Sequence, residues 1–223
     1  MMMSLFSMFD PSTIFLQFNW MLMLICMFFF PFNFWIKKSR ILNMITLINK
    51  YLHNEFKMLF TKSITMKGST IIFITLFYFI MFNNILSNFP YTFCCSAHLV
   101  FSLSISFPIW LAIMVYSWIN LTKFMFSHLL PNGTPIMLMP MMVMIETTSN
   151  LIRPLALSIR LSANLIAGHL LMNLMGNNFN FNKPYWMMML LIQILFLSFE
   201  FMIGMIQSYV FSILMTLYSS EIN

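Results

Sequence analysis

Charged residues are scarce in this chain. Only 7% of its 223 residues are Asp, Glu, Lys or Arg, whereas 61% are hydrophobic. A soluble domain carries about 25% charged residues, so the composition excludes a soluble enzyme or binding domain. We predict an all-α polytopic membrane protein, with about five membrane-embedded helices and one amphipathic helix on the membrane surface.

Glycine and cysteine are also rare. The five glycines are scattered singly, so the chain has no glycine-rich loop for binding phosphate. Cys26 and the adjacent Cys94 and Cys95 have neither the spacing of a disulfide framework nor that of a metal site. The first residues lack a positive segment and a small-residue cleavage site, so we expect no removable signal peptide. We predict no cofactor and no metal ion.

Basic residues outnumber acidic ones by eleven to five, a balance that could suit a nucleic-acid-binding protein. Eight of the eleven, however, lie between Lys37 and Lys123 in short segments beside apolar runs. This distribution is typical of positively charged loops on the inner side of a membrane. We therefore expect contact with a lipid bilayer and not with nucleic acid.

A helix needs about 20 apolar residues to cross a hydrocarbon core of about 30 Å. Residues 14–36 satisfy this requirement and end at a basic cluster, which places that end on the inner side. Residues 69–89 and 99–121 are predicted to be two further spans. Residues 41–67 contain recurring lysines and no apolar run of sufficient length, so we predict an amphipathic helix on the inner surface.

Two apolar stretches near the C-terminus are longer than one crossing requires. Residues 136–176 would form about 60 Å of helix at 1.5 Å per residue, twice the thickness of the hydrocarbon core. Residues 184–218 are nearly as long and begin at a proline, as helices often do. We predict a steeply tilted antiparallel hairpin. The alternative is a division into shorter pieces near Pro140 or Pro154.

The first hairpin helix carries polar groups that membrane spans usually lack. At 100° per residue, Asn164 lies on the same face as Arg160, and Glu146 lies within about 40° of that face. His169 points almost in the opposite direction. Three small residues share the arginine face and would let another helix approach closely: Ala156, Ala163 and Ala167.

The second hairpin helix carries a polar stripe of its own. Gln193, Glu200 and Gln207 recur every seven residues, a spacing that drifts by only about 20° per repeat. A charged side chain at the bilayer centre costs about 2.5–3.5 kcal/mol on insertion scales, so such groups usually face a partner, a cavity or an ion path. Glu and His can change charge whereas Arg effectively cannot, and this combination suits proton relay.

Each of these residues also has a purely structural interpretation. Arg160 could snorkel to the interface or form a structural ion pair, and His169 could be a hydrogen-bonded core residue. Gln193 and Gln207 could join the two helices by hydrogen bonds, and Glu146 could be a charge at the inner end of its helix. A separate structural explanation for every one of these residues is less convincing than a shared function, because a single hairpin carries a carboxylate, an arginine, an imidazole and amides.

The hairpin sequence resembles a known family. The segments "HLLPNGTPIMLMPMMVMIETTSNLIRPLALSIRLSANLIAGHLL" and "EFMIGMIQSYVFSILMTLY" are similar to subunit a of the F-type ATP synthase, in its mitochondrially encoded invertebrate form. The resemblance covers nearly the whole chain and is most specific at "RLSANLIAGHL". The 26 methionines fit an A/T-rich genome that reads ATA as methionine, as animal mitochondrial genomes do.

The resemblance implies roles for individual residues. Arg160 matches the arginine that faces the carboxylates of the rotating c-ring, and Asn164 follows it by one turn. His169 and Glu200 match a pair in the half-channel that opens to the intermembrane space. Gln207 matches a glutamine that packs near the arginine.

The resemblance also implies an outlet and a topology. Glu146 and Glu221 match acidic groups that line the half-channel toward the matrix. Ser220 stands where some relatives have histidine, so we expect this outlet to lack a second titratable group. Arg153 stands where other mitochondrial sequences have glutamine; it receives no role, and we expect it to snorkel. The amino terminus would lie in the intermembrane space and the carboxyl terminus in the matrix.

The function implied is that of a stationary proton-channel subunit in the Fo sector, in the mitochondrial inner membrane. The chain would not be an enzyme by itself, and its partners would be the c-ring, other Fo subunits and peripheral-stalk subunits. Two other functions remain open. A self-contained transporter or channel would be active as the purified chain, and a structural subunit of a respiratory complex would tolerate a neutral residue at Arg160.

Overall fold

The regular structure of the chain is helical wherever it is described. The computed structural model describes residues 6–12, 18–25, 39–60, 68–89, 92–130, 133–177 and 184–221, without the side chains of Phe124 and Glu221. Within these ranges the α-helices, in chain order, are α1 (Leu22–Ile25), α2 (Arg40–Leu59), α3 (Ser69–Ser87), α4 (Leu99–Asn120), α5 (Thr122–His128), α6 (Met139–Asn177) and α7 (Trp186–Glu221).

Four described segments are long and apolar enough to cross a membrane: Ser69–Ser87, Leu99–Asn120, Ile136–Asn177 and Trp186–Ser220. This confirms the predicted all-α polytopic membrane fold. Of the predicted first span, only residues 18–25 belong to the described part of the chain, and they form a 3-10 turn followed by α1. The rest of that prediction lies outside the described residues.

The helix α2 has an apolar face that packs against α3 and α7. Leu52 and Phe56 are buried on this face, and just beyond the helix the ring of Phe60 stacks on that of Phe73, with centroids 5.9 Å apart. The hydroxyl of Tyr209 in α7 donates a hydrogen bond to Glu55 Oε2 at 2.9 Å. The predicted amphipathic segment 41–67 is therefore helical up to residue 59, and residues 61–67 lie outside the described part.

The helices α3 and α7 approach each other closely at a glycine. A Cβ atom placed on Gly204 would lie 3.3 Å from Asn84 Cβ, so the α7 backbone sits directly against α3. Asn84 Nδ2 donates a hydrogen bond to the carbonyl oxygen of Gly204 at 3.2 Å. A small residue at this position lets the two helices share a buried polar contact.

The last two helices form the predicted hairpin. The helix α6 is 39 residues long and continuous, and α7 has 36 residues. Pro154 lies inside α6 without ending it, and Pro140 occupies the first turn, where a missing N–H group is tolerated. The alternative division into shorter helices is therefore not observed, while the tilt in the membrane stays a prediction.

Two contacts establish that α6 and α7 are antiparallel. Asn164 meets Gln207 near the middle of the pair, and the Arg153 guanidinium lies over the ring of Tyr218. We call the end where α6 stops and α7 starts the turn end, and the opposite end the far end. The chain enters α6 at the far end through the short helix α5 and a loop in which Gly133 has a φ of 96°, a left-handed conformation that favours glycine.

Candidate functional site

Arg160 lies on an exposed stripe of α6. The three alanines predicted to share its face are also exposed, whereas Leu157 and Leu161 on the other side are each only 1% exposed. Among the described residues, Arg160 has no hydrogen-bond or ion-pair partner. We define this surface, Arg160 with Ala156, Ala163 and Ala167, as the alanine stripe. Within the described part of the chain, this permanently charged side chain therefore lies on an apolar surface without a counter-charge.

The polar stripe of α7 meets α6 one turn beyond the arginine. Asn164 Nδ2 donates a hydrogen bond to Gln207 Oε1 at 3.2 Å. Both side chains line a cavity of about 190 Å³, the central cavity, together with Glu200 and Asn84. Gln207 is 7% exposed, and its Nε2 finds no hydrogen-bond acceptor in the described part of the chain. The two predicted amides are thus brought together beside Arg160.

The carboxylate of Glu200 lies directly against the backbone of α6 at Gly168. A Cβ atom on residue 168 would overlap Glu200 Oε1 and would lie 2.8 Å from the carboxyl carbon. The missing side chain at Gly168 therefore makes the space that the carboxylate occupies. Because a glycine inside a helix costs about 0.8–1.0 kcal/mol relative to alanine, its presence here has a packing reason.

A larger cavity of about 740 Å³, the turn-end cavity, opens beside His169. Glu200 lines this cavity as well as the central one, so it stands between the two. His169 Nε2 is buried without a hydrogen-bond partner among the described residues. The other polar residues of the lining come from several parts of the chain: Asp10, Asn19, Asn88, Thr92, Asn173 and Gln193.

Glu146 and Arg153 form an ion pair near the far end of the hairpin. Arg153 Nη2 lies 3.9 Å from Glu146 Oε1, and the guanidinium carbon lies 4.9 Å from the centroid of the Tyr218 ring. These three residues line a cavity of about 40 Å³, the far-end cavity, together with His128. Arg153 therefore has two partners inside the protein, and its expected snorkelling stays a prediction. Glu221 is the last helical residue of α7, and its side chain lies outside the described part.

Sequence reasoning missed several residues that line these cavities. Asn84 and Asn88 come from α3 and its C-terminal end, Asp10 from the amino-terminal segment and His128 from α5. A signal existed for the first two, because asparagine is unusual in an apolar span. Asp10 and His128 lie outside the spans, where an ionisable residue attracts no notice.

Comparison with known proteins agrees with the resemblance noted in the sequence. The family model described as "ATP synthase A chain" matches residues 16–220. The chain is 49% identical to the ATP synthase subunit a of Anopheles quadrimaculatus, over 100% of both chains. The identity is also 49% to that of Drosophila melanogaster and 48% to that of Anopheles gambiae, again over the full length of both. The chain therefore belongs to the ATP synthase A chain family.

Proposed function

We propose that this chain is the stationary proton-channel subunit of the Fo sector of ATP synthase, in the mitochondrial inner membrane. It provides two offset half-channels that protonate and deprotonate the carboxylates of a rotating c-ring. Nucleotide chemistry takes place on other subunits, and the chain assembles with further Fo and peripheral-stalk subunits. The amino terminus lies in the intermembrane space and the carboxyl terminus in the matrix.

The observation that carries this proposal is the alanine stripe. Arg160 projects from an exposed surface whose alanines permit another helix to approach closely. No counter-charge is available to Arg160 among the described residues. A ring of helices that each bear a carboxylate would supply both the missing charge and the covering surface.

The inlet half-channel begins in the turn-end cavity. Protons from the intermembrane space reach His169 and Glu200, which both line this cavity. Glu200 then passes the proton on through the central cavity, where Asn164 and Gln207 meet. The ring of Phe9 packs edge-on against His169 at 6.4 Å, so the amino-terminal segment lies on the same side as the inlet.

Arg160 separates the two half-channels. Its positive charge favours the ionised form of a passing ring carboxylate, and the low dielectric of the site strengthens this attraction. Because arginine stays protonated, it does not accept and release the proton itself and it blocks a direct path between inlet and outlet. Each proton that crosses carries about 2.3 kcal/mol per 100 mV of membrane potential, which drives the rotation.

The outlet half-channel lies at the far end. After nearly a full turn of the ring, the proton leaves past Glu146 and Glu221 into the matrix. Glu146 precedes Arg160 by fourteen residues, which is about 21 Å along a helix. The inlet residues and the outlet residues therefore lie on opposite sides of the arginine along the hairpin.

Disulfide cross-linking tests the proposal. Cysteines introduced at Ala163 or Ala167 should form disulfides with cysteines on the c-ring helices in the assembled complex. Ser162→Cys is the matched control, because Ser162 lies on the same helix but is only 2% exposed and faces the protein interior. Absence of ring cross-links at both alanine positions would contradict the proposal. A self-contained transporter would instead conduct protons as the purified chain, without a ring.

A further inference from the structure

The far-end cavity contains a titratable group that α7 does not supply. The expectation from Ser220 was an outlet without a second titratable residue, yet His128 from α5 lines the same cavity as Glu146. Imidazole is the side chain that most readily binds and releases protons near neutral pH. The cavity is about 40 Å³, which is enough room for a water molecule between polar groups.

Arg153 has two partners at this cavity. Its guanidinium lies 3.9 Å from Glu146 Oε1 and 4.9 Å from the centre of the Tyr218 ring. Glu146 and Arg153 are seven residues apart on α6, so the ion pair joins side chains that lie about two turns apart on nearly the same helix face. The aromatic contact ties the same cation to α7. The carboxylate of Glu146 lies beside this cation in the lining of the cavity.

We propose that His128 is the proton acceptor that follows Glu146 in the outlet, and that Arg153 is the positioning residue for this transfer. The inference rests on the proposed function, because it requires Glu146 to receive protons from the ring. The proton moves from the ring carboxylate to the Glu146 carboxylate, then to a nitrogen of His128, and then to the matrix water. Arg153 keeps its own protons throughout. After each transfer the Glu146 carboxylate is ionised again and re-forms its ion pair with Arg153.

The other residues that line the far-end cavity favour proton transfer from Glu146 to His128. The charged and titratable side chains that line the cavity are Glu146 and Arg153 from α6, Tyr218 from α7 and His128 from α5. The remaining lining, including that from α4, is uncharged, so His128 is the one imidazole among the described residues of this lining. His128 is also exposed at the end of α5, where it can release the proton to water.

The first experiment removes the imidazole. In the assembled complex, His128→Ala should slow proton-driven ATP synthesis by about tenfold or more, as expected for loss of a proton-transfer group. Imidazole added on the matrix side should restore the rate, because a diffusible base replaces the missing acceptor. His53→Ala is the matched control: His53 is exposed on α2, away from this cavity, and its loss should leave the rate unchanged. A slowed His128→Ala complex that imidazole does not rescue would overturn the proposal, as would an unaffected rate.

The second experiment separates this inference from the proposed function. If Glu146→Gln leaves ATP synthesis unchanged, the outlet assignment itself fails. If Glu146→Gln slows synthesis but His128→Ala does not, the outlet stands and the relay to His128 is wrong.

A third experiment tests Arg153. Arg153→Gln should alter the dependence of the rate on matrix pH, whereas Arg153→Lys, which keeps a cation beside Glu146, should retain most of the native profile. Identical pH profiles for the native complex, Arg153→Gln and Arg153→Lys would overturn the positioning role of Arg153.

Discussion

A methyl group at position 168 should slow proton entry without unfolding the hairpin. In Gly168→Ala the new Cβ would overlap Glu200 Oε1 and would lie 2.8 Å from the carboxyl carbon. Carbon atoms in contact prefer separations of about 3.5–4.0 Å, so the carboxyl group must move by about 1 Å. The glutamate side chain is flexible and can make this movement at little cost. Alanine also favours the helix over glycine by about 0.8–1.0 kcal/mol, so stability should be preserved.

The rate should fall although the fold is kept. Glu200 stands between the turn-end and central cavities, and misplacing a catalytic group by about 1 Å can cost about 10²-fold in rate. The measurement is ATP synthesis after an acid–base jump, together with passive proton conduction, in vesicles that contain the assembled variant complex. We expect both rates to fall by tenfold or more, within the range of about 10²–10⁴-fold that proton-transfer groups contribute.

Two companion variants make this prediction specific. Gly176→Ala is the matched control on the same helix, because its Cβ would have no neighbour within 4 Å. Glu200→Asp in the Gly168→Ala background shortens the side chain by one methylene group and should recover part of the rate. Normal proton conduction in assembled Gly168→Ala would refute the reasoning, since the carboxylate position would then not matter.

Two further variants test other parts of the hairpin. Arg160→Ala should abolish proton-driven ATP synthesis while leaving assembly largely intact, because this exposed side chain has no partner within the described chain. The rate of synthesis and the yield of intact complex are the measurements. Normal synthesis would refute the role of Arg160 as the partner of the ring carboxylates. Gly204→Leu should force α3 away from α7, because even a Cβ there lies 3.3 Å from Asn84 Cβ; overpacking of this kind typically costs about 1–3 kcal/mol. The complex should then lose thermal stability in detergent, whereas Gly204→Ala should lose little, and equal stability of both variants would contradict the close packing.

The hairpin, and the directions in which the side chains of α6 point, could be predicted from the sequence because an α-helix has a fixed angular period. Once α6 is continuous, the spacing between Arg160 and Asn164 determines that they share a face. The same arithmetic turns His169 away from that face, toward the turn-end cavity. The exposed alanines follow from the same count, because each lies three or four residues from the next residue of the stripe.

The residues contributed by other helices could not be predicted in this way. Angular position on α7 places Gly204 near the face of Glu200, but it does not say that Asn84 of α3 fills the space in front of it. Which residue fills this space depends on which helices pack together, and that is a property of the whole fold. Asp10 reaches the turn-end cavity for the same reason, although it lies far from His169 in the sequence.

The two arginines of α6 differ in the partners that the described part of the chain supplies to them. Arg153 and Arg160 are seven residues apart, so periodicity alone places them on nearly the same face. Arg153 finds both a carboxylate and an aromatic ring within the chain, whereas Arg160 finds neither among the described residues. A charged side chain in an apolar environment costs about 2.5–3.5 kcal/mol or more unless it is compensated. The described residues offset this cost at Arg153 but not at Arg160, as the proposed encounter with a ring carboxylate requires.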